Sequence, residues 1–185
     1  MSALPPRAAP LEVADWDSAT KDALARWMPP MNFHKTMAHN SATLRGWIGF
    51  GNHILFENLL SRREREIVIL RIAATLGCAY EWGAHRRFTL AEDLMTAEEA
   101  DRLASPLAPD DWNVREAALV AATDDLLVDR RIGDAAWEAL AGHGFTPAHF
   151  IDLIYLAGEF IMVAMFLDSF RVPLEDGFVA IPARQ

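Results

Sequence analysis

The stretch from Ser61 to Gly77 constrains the fold more than any other part of this chain. Ser61-Arg62-Arg63-Glu64 is a capping box, in which the Ser hydroxyl takes a free backbone N–H and the Glu carboxyl reaches back. The helix it opens carries Ile67, Val68, Ile69, Leu70, Ile72 and Leu76 and ends near Gly77. Those apolar residues cover most of its circumference. A helix of that kind is a central one, so the rest of the chain has to surround it.

The remainder also reads as helical. Residues 1–14 look like an extended, Pro-rich arm, and Asp17-Ser18 caps a short helix to about Trp27 that Pro29-Pro30 stops. Apolar residues recur at helical spacing from Asn32 to Phe56, with a break near His39-Asn40-Ser41. A second helix over Cys78–Leu90 follows the central one at once and packs close to it. Thr96-Ala97-Glu98-Glu99 is another capping box, and Pro106 and Pro109 mark a loop. Asn113 or Asp111 caps a helix to about Val128, and Gly133-Asp134 starts one that Gly144 ends. Thr146-Pro147 places a cap and an N1 proline ahead of a long apolar helix terminated by Pro173. With no period-two run, the fold class is all-α, of about seven or eight helices.

Composition removes several function classes. The formal net charge of −9 and the lack of a basic face argue against nucleic acid. The one basic cluster, Arg62-Arg63-Glu64-Arg65-Glu66, alternates with acids and reads as a solvated helix start. A single Cys excludes a disulfide framework and an internal dithiol cycle, which fits a cytoplasmic protein. No leader is visible, since the first ten residues hold three prolines and no apolar core. Phe150 to Phe170 is apolar but contains Asp152, Glu159 and Asp168, so a core or subunit-interface helix is expected rather than a membrane span. That helix and the segments around Trp27 and Trp47 offer more apolar surface than one domain of this size hides, which predicts association.

The residues able to carry chemistry lie near the lone thiol. A helix across Cys78-Ala79-Tyr80-Glu81-Trp82-Gly83-Ala84-His85 puts Cys78, Glu81 and His85 on one stripe. Cys78 at a helix N-terminus is placed to favour thiolate, and Glu81 is placed to orient the imidazole of His85. The structural alternative has Cys78 as a small buried residue, Glu81 paired with Arg86 or Arg87, and His85 as a core histidine. Glu66, where the charged helix start turns apolar, is a candidate proton relay; its alternative is a pair with Arg62 or Arg63. Arg71 and Glu159 each interrupt apolar helices and need partners, and they are candidates for each other. His34, His39 and His53 show no metal-ligand spacing, and no phosphate loop or dinucleotide fingerprint is present.

The run Leu60 to Arg71, followed by Gly77-Cys78-Ala79-Tyr80-Glu81-Trp82-Gly83-Ala84-His85, resembles the carboxymuconolactone decarboxylase family, which shares the alkylhydroperoxidase D-like fold. Trp47 to Gly51, Asp134 to Trp137 and Leu156 to Phe160 agree with longer members. The resemblance divides the chain into an arm and short helix (1–31), a family-like domain (32–174) and a C-terminal tail (175–185). It implies a homo-oligomer, a trimer or a hexamer. The redox branch of the family uses Cys-x-x-Cys with a following His and a preceding Glu, which here correspond to Cys78, His85 and Glu66. Glu81 stands at the second Cys, so the dithiol activity does not carry over. The variant here looks more like the decarboxylase branch, implying loss of CO2 from a small anionic lactone or aromatic-acid product without metal or organic cofactor. On that reading His85, oriented by Glu81, donates a proton and Glu66 tunes it. Arg71, Arg86, Tyr80 and Trp82 are the candidate substrate contacts. A single-Cys peroxidase using Cys78 and a non-catalytic oligomeric protein are the alternatives.

Overall fold

A computed structural model describes residues 4–25, 29–106 and 112–183. Within them the helices are α1 (Ser18–Ala25), α2 (Asn32–Met37), α3 (Ser41–Asn52), α4 (Arg62–Leu76), α5 (Ala79–Ala91), α6 (Ala97–Arg102), α7 (Val114–Asp129), α8 (Asp134–Gly142) and α9 (Pro147–Phe170). There is no strand among the described residues, and the fold is all-α. Trp27, Pro109 and Asp111 lie outside the described residues.

The helix ends follow from local chemistry. Ser61 accepts a hydrogen bond from the Glu64 N–H, and the Glu64 carboxylate accepts from the Ser61 N–H at 2.8 Å. The same reciprocal pair joins Thr96 and Glu99 ahead of α6. Asn113 caps α7 by accepting from the Glu116 N–H at 2.9 Å. The predicted break after α2 is a 3-10 turn at Ala38–Asn40, where the Asn40 side chain caps α3. Beyond α3 the chain widens into a π turn over His53–Glu57.

α4 is the axis of the molecule. It packs against α5, α7 and α9, and Ile67 to Leu70, Ile72 and Ala73 are fully buried. Each such large aliphatic side chain contributes about 1.5–3 kcal/mol by leaving water. Gly77 adopts φ +74°, a left-handed conformation that glycine reaches without a Cβ penalty. There the Cys78 N–H donates to the Ala73 carbonyl and the Gly77 N–H to Ala74, which closes a Schellman end. The chain therefore turns within two residues and lays α5 back along α4.

The charged start of α4 departs from expectation. Glu64, Arg65 and Glu66 are buried rather than solvated. Ion pairs reach them or their neighbours from other elements: Arg115 of α7 donates to Glu64, and Arg63 bridges Glu99 and Glu116. Arg71 does not meet Glu159. Its guanidinium forks onto Asp124 of α7 at 2.7 and 2.8 Å and also donates to the Leu103 and Ser105 carbonyls.

α9 is long and apolar enough to cross a bilayer, and half of its most apolar window is buried. Leu153, Leu156, Ala157 and Phe160 join the main core, while Val163, Ala164 and Leu167 join a second cluster with Phe33, Cys78 and Tyr80. The arm and the tail are packed on these helices. Arg7 donates its N–H to Phe170, and Ile181 and Phe178 rest against the two clusters.

Candidate active site

The Schellman turn between α4 and α5 sets Glu66 and His85 side by side, although they are 19 residues apart in sequence. His85 Nδ1 lies 2.9 Å from Glu66 Oε2, and the Thr89 hydroxyl donates to the same oxygen at 3.2 Å. The imidazole is further held edge-on to Phe160 of α9, with centroids 4.9 Å apart. With Nδ1 engaged by the Glu66 carboxyl, Nε2 is the nitrogen left for a ligand. Glu66, not Glu81, orients His85, and Glu66 does not pair with Arg62 or Arg63.

Glu66, His85 and Phe160 line a cavity of about 420 Å³. Its walls come from α2, α3, α4, α5, α9 and the segment after α3, and they are mostly aromatic and aliphatic, with Phe33, Trp47 and Phe88 among them. Such a site suits a small, largely apolar molecule held by a few convergent polar groups. Glu81 also lines it. Glu81 is 2% exposed, and neither carboxyl oxygen has a hydrogen-bond partner among the described residues. Burial, followed by the charges of Asp168 and Glu159, pushes its pKa well above the ordinary range. Glu159 itself is raised to about 7 by burial, opposed by a hydrogen bond with Trp47.

Cys78 takes the place predicted for it, at the cap of α5, but not the chemistry. The thiol is fully buried between α2, α5 and α9, and it is not among the residues lining the cavity. Burial first, and the Glu81 charge second, push it up to about 12, so the helix terminus does not yield a thiolate. Tyr80 does line the cavity. Its hydroxyl donates to Glu175 at 2.7 Å and accepts from the Phe33 N–H. Trp82 is fully buried in the main core and away from the cavity lining. Arg86 is likewise committed elsewhere, forked onto Asp101 at 2.7 and 3.1 Å.

Three site residues carry no mark in the sequence. Thr89 lies one turn beyond His85, but its i+4 spacing only becomes informative once Glu66 is known to sit opposite. His34 enters the cavity from α2. Its Nδ1 accepts from the Met31 N–H at 3.1 Å, and burial lowers its pKa to about 4, which keeps it neutral with the proton on Nε2. Arg65 is a buried guanidinium in the cavity wall that donates to the Leu60 carbonyl. No carboxylate among the described residues forms an ion pair with it, whereas Arg62 is held by Glu92 and Arg87 lies over Phe178. No cluster of three or more His, Cys, Asp and Glu side chains that could hold a metal ion occurs among the described residues.

Residues 41–125, which carry α3 to most of α7 and with them Glu66, Glu81 and His85, match the carboxymuconolactone decarboxylase family. That match spans 85 of the 185 residues of the chain. Solved structures agree on an alkylhydroperoxidase D-like fold. The alkylhydroperoxidase AhpD core from Ralstonia eutropha, an uncharacterized peroxidase-related protein, is 20% identical with a TM-score of 0.75 over 94% of this chain and 95% of that one. A second uncharacterized peroxidase-related protein, from Silicibacter sp., is 22% identical with a TM-score of 0.73, covering 95% and 93%. The debrominase Bmp8 in complex with 2,3,4-tribromopyrrole is 11% identical with a TM-score of 0.77, covering 95% of each chain. No curated protein matches the sequence. At these identities the likeness to solved structures is one of fold, and the family's chemistry has to be argued from the residues.

Proposed function

We propose that this protein is a cofactor-free proton-transfer enzyme of the carboxy-lyase type, acting on a small apolar molecule that bears a carboxylate. The observation that carries the reading is the Glu66–His85 pair, with its 2.9 Å contact, set in the wall of an aromatic cavity. Arg65 is the group that receives the substrate carboxylate, because it is the buried cation of the wall without an ion-pair partner among the described residues. Arg71 and Arg86 are spoken for by Asp124 and Asp101. In the reaction the bond from the substrate carbon to the carboxylate breaks and CO2 leaves. The electron pair stays on that carbon, in conjugation with a substrate carbonyl. For this step His85 carries a second proton on Nε2, taken from solvent and offset by the Glu66 carboxylate at Nδ1; it delivers that proton to the carbon and is reprotonated from solvent.

The buried, un-ionised Cys78 weighs against the single-Cys peroxidase alternative, since the thiolate is the reactive form. The test is a screen of unsaturated lactone and keto carboxylates for CO2 release by the wild type, by Cys78→Ala and by His85→Ala. Release that survives Cys78→Ala and fails in His85→Ala supports the reading. Peroxide turnover abolished by Cys78→Ala would replace it with the peroxidase.

A further inference from the structure

Glu81 is the group that stands at a cysteine position of the family motif and at the cavity wall of the fold, with no hydrogen bond to its carboxyl among the described residues. A buried carboxyl with no donor, no cation and no water-facing oxygen is an expensive arrangement unless it holds its proton or meets a ligand. Its surroundings favour the proton. On α9 it feels Glu159 and Asp168, both acidic. On α2 stands the neutral His34, and on α5 the un-ionised Cys78 and Tyr80 together with His85. On α4 stand Glu66 and Arg65, and neither offsets the burial of Glu81. Glu159 is fixed on its far side by α3, where a Cβ on Gly51 would lie 3.1 Å from Glu159 Oε1 and 3.2 Å from the Trp47 ring.

We propose that Glu81 is an un-ionised carboxylic acid at the cavity wall that turns its O–H toward an entering ligand, and that the ligand it takes is an apolar ring compound with a carbonyl-type acceptor oxygen. The site thus holds two titratable arms in opposite states: a carboxylate–imidazole pair that moves a proton, and a carboxylic acid that keeps one. Within the proton-transfer reading, on which this role in catalysis rests, Glu81 faces the oxygen where charge gathers as CO2 leaves. Burial keeps the proton on Glu81, and the charges of Asp168 and Glu159 add to that.

Infrared difference spectra at pH 8, wild type minus Glu81→Gln, read the state of this carboxyl directly. The expected result is the C=O stretch of an un-ionised acid; a pair of carboxylate bands in its place overturns the proposal. In the wild type alone, acetophenone should move that band to lower frequency, whereas ethylbenzene, of similar shape but without an acceptor, should leave it in place. A band indifferent to acetophenone, or equally moved by both, also overturns it. Glu81→Leu should abolish a preference for acetophenone of about 2- to 10-fold in dissociation constant, the span of one net hydrogen bond. None of these readouts involves turnover, so they stand or fall separately from the activity of the His85 and Glu66 variants.

Discussion

On the proposed reading His85 and Glu66 divide one task between two helices: the imidazole faces the cavity, and the carboxyl behind it holds Nδ1. His85→Ala and Glu66→Gln are each expected to lower turnover by at least ~10²-fold while folding is retained, the lower end of general acid–base effects. The double variant should be little worse than either single one, because groups acting as a unit lose most of their function at the first removal. Circular dichroism alongside kinetics checks this, and unfolding with a minor kinetic change would make the pair structural. Cys78 should resist iodoacetamide in the native protein and react fully once urea opens the core, since a thiol pushed up to about 12 and fully buried is neither ionised nor reachable. At this scale the sequence was partly legible. Glu66, Glu81 and His85 could be picked out because local spacing and the family motif both mark them. Their pairing could not, because Glu66 and Glu81 are equally plausible partners until the angle between α4 and α5 is known. Arg65 was hidden for another reason: an Arg-Glu alternation looks solvated whether or not other helices close over it.

Helices α2 and α9 bring two buried groups with opposite proton linkage to the region around the cavity. Glu159 is raised to about 7 from 4.5, so the folded state binds its proton more tightly, and this stability is lost as pH rises from about 4.5 through 7. His34 is lowered to about 4 from 6.5, so the unfolded state binds the proton more tightly, and stability is lost as pH falls from about 6.5 through 4. Measured against the wild type by urea denaturation, Glu159→Gln should therefore gain stability between pH 5 and pH 8. His34→Gln should gain between pH 7 and pH 4. Each change is on the order of 3 kcal/mol at most, since a tenfold change in proton affinity is worth about 1.4 kcal/mol. A pH-independent difference would mean that neither group titrates as described. The elements themselves were the most legible part of the chain. Capping boxes at Ser61 and Thr96, the Asn113 cap and the Gly77 stop are short-range devices whose geometry lies within a few residues. Pairings between elements are long-range, which is why Arg71 met Asp124 of α7 and not Glu159.

Among the described residues, one face of α9 is left uncovered. Ile151, Ile154, Tyr155, Met162 and Met165 are exposed on it, Met165 to 65%. We expect this face to be covered by further copies of the chain, so sedimentation at micromolar concentration should show a species several times the 20.6 kDa monomer. Met165→Glu should shift that species toward monomer without loss of helicity; a monomeric wild type would remove the interface. Trp47, expected to add to such a surface, is half-buried and packs against Phe33, His34 and Glu159. Nor does the tail stand apart. Glu175 accepts from both the Tyr80 hydroxyl and the Asn32 N–H, and Phe178 sits against Gly83, where a Cβ would lie 2.6 Å from its side chain. Arg87 lies over the Phe178 ring at 4.8 Å. Tyr80 and Arg87 thus have a ligand cavity on one side and the last segment of the chain on the other. Any coupling between the two through these residues is reciprocal. Where binding moves Tyr80 or Arg87, a dye attached at Gly177 is expected to report occupancy of a cavity it never touches, and displacing the tail should change affinity by the same factor; a dye signal indifferent to ligand would show the two to be uncoupled.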